Sequence, residues 1–335
     1  MIGDPMSEEP RQPPARAPHE PVVVTVADPA LLGVVRDVPD GVRLRLWDVA
    51  GPLAAPDEVT IVVPPYLGGA RLELLGDLAN LRLVQTLTAG YDDVLSSLPD
   101  GVALANAVGV HDASTSELAV GLAIAALRGV PAFVRAQDKG QWRWEQLRSL
   151  ADRRVLVVGY GGVGRAVARR VLAFEATITA VASRRRPSDE DGVAVHGVDE
   201  LPDLLPDHDV VIVTVPLTDA TRGLVDAAFL AAMPDGALLV NVARGPVVDT
   251  AALIAELRKG RLLAALDVTD PEPLPPHHEL WHLPGVLISP HVGGSTSAML
   301  PRALDLLADQ LRRVWTGEPL RGIVVPTAWS EPATL

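Results

Sequence analysis

Three side chains able to handle a carboxylate and a proton follow apolar, strand-like runs in this sequence: Arg244, Glu272 and His291. A guanidinium can hold a carboxylate through two parallel hydrogen bonds. A histidine held by a carboxylate can exchange a proton with a substrate oxygen near neutral pH. Upstream, Val155-Leu156-Val157-Val158-Gly159-Tyr160-Gly161-Gly162-Val163-Gly164 places G-x-G-x-x-G directly after an apolar run and before the helical stretch Arg165 to Leu172. Gly159 permits a tight turn, Gly161 lets the backbone approach a pyrophosphate, and Gly164 lets strand and helix pack closely. The helix N-terminus then attracts the anion. Taken singly, each feature has an ordinary reading: a surface ion pair for Arg244, a satisfied loop histidine for His291, any glycine-rich turn for the loop. The strand before the glycines, the helix after them and a further strand at Thr177 to Ala182 favour a dinucleotide site.

Which dinucleotide is read from the end of that further strand. NAD enzymes place a carboxylate about 20 residues beyond the glycines to bind the ribose 2′-hydroxyl. Here the segment is Val181-Ala182-Ser183-Arg184-Arg185-Arg186, without an acidic residue. Arg184 can pair with a 2′-phosphate, Ser183 can donate a hydrogen bond to it, and Arg185 can share the load. NADP(H) is therefore the expected cofactor, with NAD(H) as the alternative; a solvated basic loop is the bland reading.

The elements that must position these groups are short. Val22 to Val26, Val42 to Trp47, Val59 to Val63, Leu83 to Thr86 and Val102 to Ala105 form a first strand series, bounded by Pro, Gly and Asp. Arg154 to Val158, Thr177 to Ala182, Asp209 to Val215, Ala237 to Asn241, Leu263 to Val268 and Val286 to Ser289 form a second. Continuous rather than alternating apolar character suits parallel strands covered on both faces. The sequence predicts two doubly wound α/β domains. A helix with Ser/Thr caps begins at Ser114, with Glu117 in its first turn, and bridges them; Asp249 and Thr250 cap another that stops at Gly260; a last one, Ala303 to Trp315, returns to the first domain.

Composition narrows the function classes. The chain has 335 residues, enough for two cores and a cleft between them. Its formal charge of −13 opposes binding to a phosphate backbone, and the run Arg184 to Arg186 is too small to reverse that. The longest apolar stretch, Leu118 to Leu127, is far shorter than a bilayer span, so no membrane association is expected. Residues 1–20 are rich in Pro and charge, lack a signal-peptide core, and are expected to form a disordered tail. There are 0 cysteines, which removes thiolate metal sites and cysteine nucleophiles and makes the cytoplasm the default location.

With these residues in view, the chain resembles the D-isomer-specific 2-hydroxyacid dehydrogenase family, and its Pro-Glu-Pro-Leu-Pro stretch is most similar to the glyoxylate/hydroxypyruvate reductases. The motifs occur in order: Thr88-Ala89-Gly90-Tyr91-Asp92, Asn106-Ala107-Val108-Gly109, Thr115-Ser116-Glu117, the glycine loop, Val215-Pro216-Leu217-Thr218, Ala243-Arg244-Gly245, Leu266-Asp267-Val268, Glu272 and Pro290-His291. The resemblance implies a Rossmann domain, residues 113–291, inserted into a flavodoxin-like substrate domain, residues 21–112 and 292–326. It implies that Arg244 binds the substrate carboxylate and polarises the keto oxygen while His291, paired with Glu272, exchanges the proton. The N–H groups of Ala89 and Gly90 grip the same carboxylate. Around the cofactor it places Thr115, the loop Gly159, Tyr160, Gly161, Gly162, Val163 and Gly164, then Ser183, Arg184, Arg185, Val215, Pro216, Thr221, Val242, Ala243, Asp267, His291 and Gly293. The partners implied are a small 2-oxo or 2-hydroxy acid and a second copy of the chain, through the helix from Ser114.

Two departures from the family pattern stand out. Glu175 occupies a position after Phe174 that is usually Gly, where a positive φ would cost a side chain about 1 kcal/mol. Gly162 replaces a commonly larger residue. Three other readings stay open: a dinucleotide-sensing corepressor of the same fold, phosphite oxidation by the same Arg, Glu and His, and substrate choice by first-domain side chains near Leu67 or Tyr91. Glu272 speaks against formate oxidation, where the histidine is paired with Gln. His278-Glu279-Leu280-Trp281-His282 fits the zinc-protease pattern H-E-x-x-H, but Pro275, Pro276 and Pro284 leave barely two turns of helix, so no metal is expected.

Overall fold

The structure, a computed structural model, describes residues 21–32, 38–66, 68–188 and 191–330. The expected tail at 1–20 and the candidate Leu67 lie outside them. Strands β1 (Val22–Val26), β2 (Val42–Leu46), β3 (Val59–Val63), β4 (Leu83–Gln85) and β5 (Ala103–Ala105) are all parallel, in the order β5-β4-β3-β1-β2. That is the flavodoxin-like order. Helix α1 (Asp92–Leu95) links β4 to β5, and α2 (Asp112–Leu127) and α3 (Val130–Gln137) lead to the second sheet.

There β6 (Arg154–Val158) feeds α4 (Gly162–Leu172), followed by β7 (Thr177–Ala182), β8 (Ala194–Gly197), α5 (Leu201–Leu204), β9 (Val210–Val213), α6 (Ala227–Ala232), β10 (Leu238–Asn241), α7 (Thr250–Arg258), β11 (Leu263–Leu266) and β12 (Val286–Ile288). The order β12-β11-β10-β9-β6-β7-β8 is a Rossmann arrangement with one added edge strand. Its central strands are fully buried: Leu156, Ile212, Leu238 and Leu239 contribute about 1.5–3 kcal/mol each by leaving water. The chain then returns through α8 (Met299–Thr316), whose Ala303, Leu306, Leu307 and Leu311 pack with Val24, Ile61, Leu83 and Ala103. Buried Gln310 of α8 donates to the Gln85 side chain of β4 at 2.8 Å, tying the return to the first sheet.

Several expectations need correction. The bridging helix starts at Asp112, two residues before Ser114, and its N-cap is His111 without a side-chain cap. Ser114 and Ser116 are buried, and their hydroxyls donate back to helix carbonyls, that of Ser114 to His111 and that of Ser116 to Ala113. The helix after the glycines begins three residues before Arg165, because Gly162 already lies within it. Strand ends are shorter by one or two residues at most places. Two strands were not read: edge strand β8, whose Ala194–Gly197 carry little apolar signal, and β13 (Ile323–Val325), three residues long, which pairs antiparallel with β5. Glu175 does adopt φ 61°, as the missing glycine predicted.

The segment His278 to His282 is not a zinc helix. Only Glu279–Trp281 form a 3₁₀ turn, His278 Nδ1 accepts from the Leu280 N–H at 3.3 Å, and Glu279 is ion-paired with Arg258 at 2.5 Å. Among the described residues, no three His, Cys, Asp or Glu side chains converge on a metal position. No single described helix is long and apolar enough to cross a membrane.

Candidate active site

The loops that leave the C-terminal ends of β4, β5, β10, β11 and β12 meet between the two sheets, the edge where open α/β sheets bind ligands. After β4, residues 88–90 are pinned from behind. Thr88 Oγ1 donates to the Gly90 carbonyl at 2.6 Å and Asn106 Nδ2 to the Ala89 carbonyl at 2.9 Å. Both carbonyls are thus occupied, while the N–H groups of Ala89 and Gly90 have no acceptor among the described residues. Two free N–H groups side by side suit a carboxylate or an oxyanion.

After β10, the buried Asn241 side chain shapes the next loop, accepting from the Ala243 N–H at 3.0 Å and donating to the Arg244 carbonyl at 3.1 Å. Gly245 runs so close to the Thr269 carbonyl that a β-carbon would overlap it. Arg244 is thereby aimed across to the first sheet. Its Nη1 donates to the Ala243 carbonyl at 2.9 Å and its Nε to Asp92 Oδ1 at 3.3 Å, and its guanidinium lies over Gly90, where a β-carbon would overlap Nη2. Asp92 closes the Thr88-to-Asp92 motif and Asn241 ends a strand run, but neither has a residue-type signal that marks it as a support.

His291 follows β12. Its Nδ1 is 2.5 Å from Glu272 Oε1, and both side chains are roughly half exposed, at 45% and 39%. With Nδ1 facing the carboxylate, Nε2 is the nitrogen left for a substrate. His291 itself has φ 53°, a left-handed conformation that costs about 1–2 kcal/mol and needs support from its surroundings. Asp267 supplies it. This buried carboxylate accepts from Ser289 Oγ at 2.6 Å, the Val292 N–H at 3.0 Å and the Gly293 N–H at 2.9 Å, while its own carbonyl accepts from the His291 N–H at 2.7 Å. Asp267, expected beside a nicotinamide, is in this structure first of all the strut of the histidine loop. Thr115 also reaches this place, since a β-carbon at Gly293 would lie 2.9 Å from Asp267 Oδ2 and 3.4 Å from Thr115 Cγ2.

The glycine loop between β6 and α4 fits a pyrophosphate by the same test. Gly159 has φ 103° and packs on Thr214 and Val215, bringing the Val215-Pro216 loop after β9 beside it. Gly164 lies against the Gly159 carbonyl, and the place of a β-carbon on Gly161 is open space. A side chain at the first two would collide with backbone, whereas the third leaves room for a ligand. Thr221 spends its hydroxyl inside the Val215-Pro216 loop, donating to the Pro216 carbonyl at 2.6 Å and accepting from the Thr218 N–H at 2.8 Å. Val242 and Ala243 are buried beneath the cleft.

Of the basic run after β7, Arg186 touches the glycine loop: it donates to the Tyr160 carbonyl at 2.9 Å, with its guanidinium 6.0 Å from the Tyr160 ring centre and Arg165 5.8 Å away. Arg185 lies 3.7 Å from Glu200 and is largely exposed, and Ser183 and Arg184 are exposed. Tyr66, three residues beyond β3, stacks on buried His111 with ring centres 5.6 Å apart. Burial, and then the negative Asp267, push its phenol above the usual tyrosine range. Tyr66 followed no recognised motif.

Residues 120–293 match the profile of the D-isomer specific 2-hydroxyacid dehydrogenase NAD binding domain. A glyoxylate/hydroxypyruvate reductase A of Arabidopsis thaliana is 32% identical over 275 residues, covering 80% of this chain and 86% of that protein. A glyoxylate reductase of Thermofilum pendens is 33% identical over 255 residues, covering 73% and 75%. A solved D-isomer specific 2-hydroxyacid dehydrogenase of Xanthobacter autotrophicus, in complex with NADPH and MES, superposes with a TM-score of 0.79 at 32% identity, over 92% of this chain and 99% of that one.

Proposed function

Because the chain belongs to the D-isomer specific 2-hydroxyacid dehydrogenase family, we propose that it interconverts a small 2-oxo acid of the glyoxylate or hydroxypyruvate type and its 2-hydroxy acid, with NADP(H) preferred over NAD(H). The observation that carries this reading is the guanidinium of Arg244 lying on Gly90, beside two unpaired N–H groups and on the same edge as the His291–Glu272 pair. The N–H groups of Ala89 and Gly90 and the fork of Arg244 hold the substrate carboxylate. Arg244 also draws charge onto the keto oxygen, and His291 Nε2 delivers the proton to it. Glu272 keeps the imidazole oriented and balances its charge. A reduced nicotinamide, when bound, supplies the hydride that reaches carbon 2, so hydride and proton together give the hydroxy acid.

For the cofactor, the glycine loop and Thr115 take the pyrophosphate, Val215, Pro216, Val242 and Ala243 line the path toward the nicotinamide, and Ser183 and Arg184 take the 2′-phosphate. No carboxylate follows β7 to repel that phosphate. The test is turnover of a panel of 2-oxo acids with NADPH and NADH: reduction of a C2 to C4 acid, faster with NADPH, supports the reading, and no turnover of any 2-oxo acid overturns it.

A homodimer is part of this proposal, with the helix α2 expected in its interface. One side of α2 packs within the chain against α4, β10 and β11, while its Leu118, Ile124 and Ala126 stay only partly buried. Trp142 and Trp144 are 96% and 82% exposed, Val130 and Val134 of α3 are exposed as well, and large exposed apolar side chains fit an interface. A monomer at micromolar concentration in light scattering would overturn the dimer. The absence of cysteine supports a cytoplasmic location.

A further inference from the structure

Gly162, the residue that departs from the family pattern in the phosphate loop, has a side-chain carboxylate where its own β-carbon would be. All three terminal atoms of Asp112, from the first turn of α2, lie within 2.8 Å of that position. A β-carbon at 162 would overlap them unless the Asp112 side chain turned away. The carboxylate rests on the first turn of α4, between the N-termini of two helices of 11 and 16 residues. Both N-termini carry partial positive charge, and α2 also supplies Thr115. Yet no donor among the described residues makes a hydrogen bond to the Asp112 carboxylate. A half-buried carboxylate with no hydrogen bond, at the mouth of an anion site, is a group set against the ligand of that site.

We propose that Asp112 is a built-in anion of the phosphate loop, which lowers the affinity for the dinucleotide while ionised and takes up a proton when the dinucleotide binds. This inference rests on the cofactor reading above. Two negative groups facing the same helix ends repel, and the smaller cost is to protonate the carboxylate, whose hydroxyl can then donate to a phosphate oxygen. Burial already holds Asp112 above the usual aspartate range, opposed only by the charge of His111. Charged groups on the neighbouring elements are otherwise engaged: Arg165 of α4 and Arg186 beyond β7 lie on the Tyr160 ring, and Asp267 is occupied by its three donors. The bound state holds more protons than the free state. Affinity therefore falls as pH rises through the range in which free Asp112 ionises.

The experiment is binding rather than turnover. NADPH and NADH are titrated against wild type and Asp112→Asn by cofactor fluorescence at several pH values, and by calorimetry in buffers of different ionisation enthalpy. Asp112→Asn should bind both dinucleotides about tenfold more tightly at neutral pH, the scale of one charge at several ångströms, and should lose the buffer-dependent proton uptake. Because the 2′-phosphate of NADPH titrates by itself, the difference between wild type and variant, repeated with NADH, isolates Asp112. Equal affinity and equal proton uptake in the two proteins would overturn the inference alone. Failure of wild type to bind either dinucleotide would overturn the cofactor reading and the inference with it. A second pair of variants needs no ligand: Gly162→Ala should lower the melting temperature in the wild-type background and much less in Asp112→Ala, and equal losses would contradict the contact.

Discussion

Arg244, at the end of a strand in one sheet, lies over Gly90, at the end of a strand in the other, with no room for a β-carbon between them. The absence of a side chain at 90 is what lets the guanidinium reach the unpaired N–H groups of the first sheet. Gly90→Ala should therefore displace Arg244 by about an ångström and lower kcat/KM by about 10²-fold, with NADPH affinity little changed. Steady-state kinetics beside a binding titration check this. Wild-type kcat/KM in the variant would show that the contact has no part in the reaction.

Replacing Arg244 with Lys keeps the charge and loses the planar fork. KM should rise and kcat should fall together, because in the proposed mechanism the same group binds the carboxylate and polarises the oxygen. Unchanged kinetics would reject two-point recognition by Arg244.

His291→Ala should cost about 10²- to 10⁴-fold in kcat, the usual contribution of a positioned acid or base, while leaving the dinucleotide Kd nearly unchanged. Glu272→Gln should fall between wild type and His291→Ala, since it keeps a hydrogen-bond acceptor for Nδ1 but not the charge 2.5 Å away. Single-turnover rates separate these effects from product release. A Glu272→Gln enzyme as fast as wild type would disconnect the pair.

The two arginines after β7 should behave differently. Arg184→Ala should lower the preference for NADPH over NADH, because in the proposed binding mode its exposed guanidinium meets only the 2′-phosphate. Arg186→Ala should weaken both cofactors, because that side chain holds the Tyr160 carbonyl of the glycine loop. The ratio of kcat/KM values for the two cofactors in each variant decides it, and an unaltered ratio in Arg184→Ala would reject its role.

Acid stability depends in part on His208, buried beside β9. Burial holds its ring below the usual histidine range, partly offset by its hydrogen bond to the Leu204 carbonyl at 2.6 Å. The folded pKa lies below the unfolded one, so below about pH 6.5 the unfolded chain binds a proton that the folded chain refuses, and stability falls as pH falls. His208→Gln should flatten the decline in melting temperature between about pH 7 and about pH 5. An identical slope in the variant would assign the decline to other groups.

Much of this was legible in the residues themselves. Strand series, the glycine loop, and the order of Arg244, Glu272 and His291 depend on local apolar runs and on residue types with few other uses, so pattern alone places them at strand ends. Even the positive φ at Glu175 could be anticipated, through the resemblance to a family that usually has glycine there. Strands β8 and β13 were not legible, since three or four residues at a sheet edge carry little periodicity and gain their place from a partner far along the chain. The supports of the site were hidden for a related reason. Asn241, Asp92, Ser289 and Asp112 are common polar residues whose meaning comes entirely from what faces them: the Arg244 loop, the Arg244 guanidinium, Asp267 and Gly162. Sequence determined which groups could do chemistry. Tertiary structure decided which of them touch, because contacts such as that of Asp112 with Gly162, or of Asp92 with Arg244, 152 positions away, are set by packing of whole sheets and helices, and no local pattern encodes them.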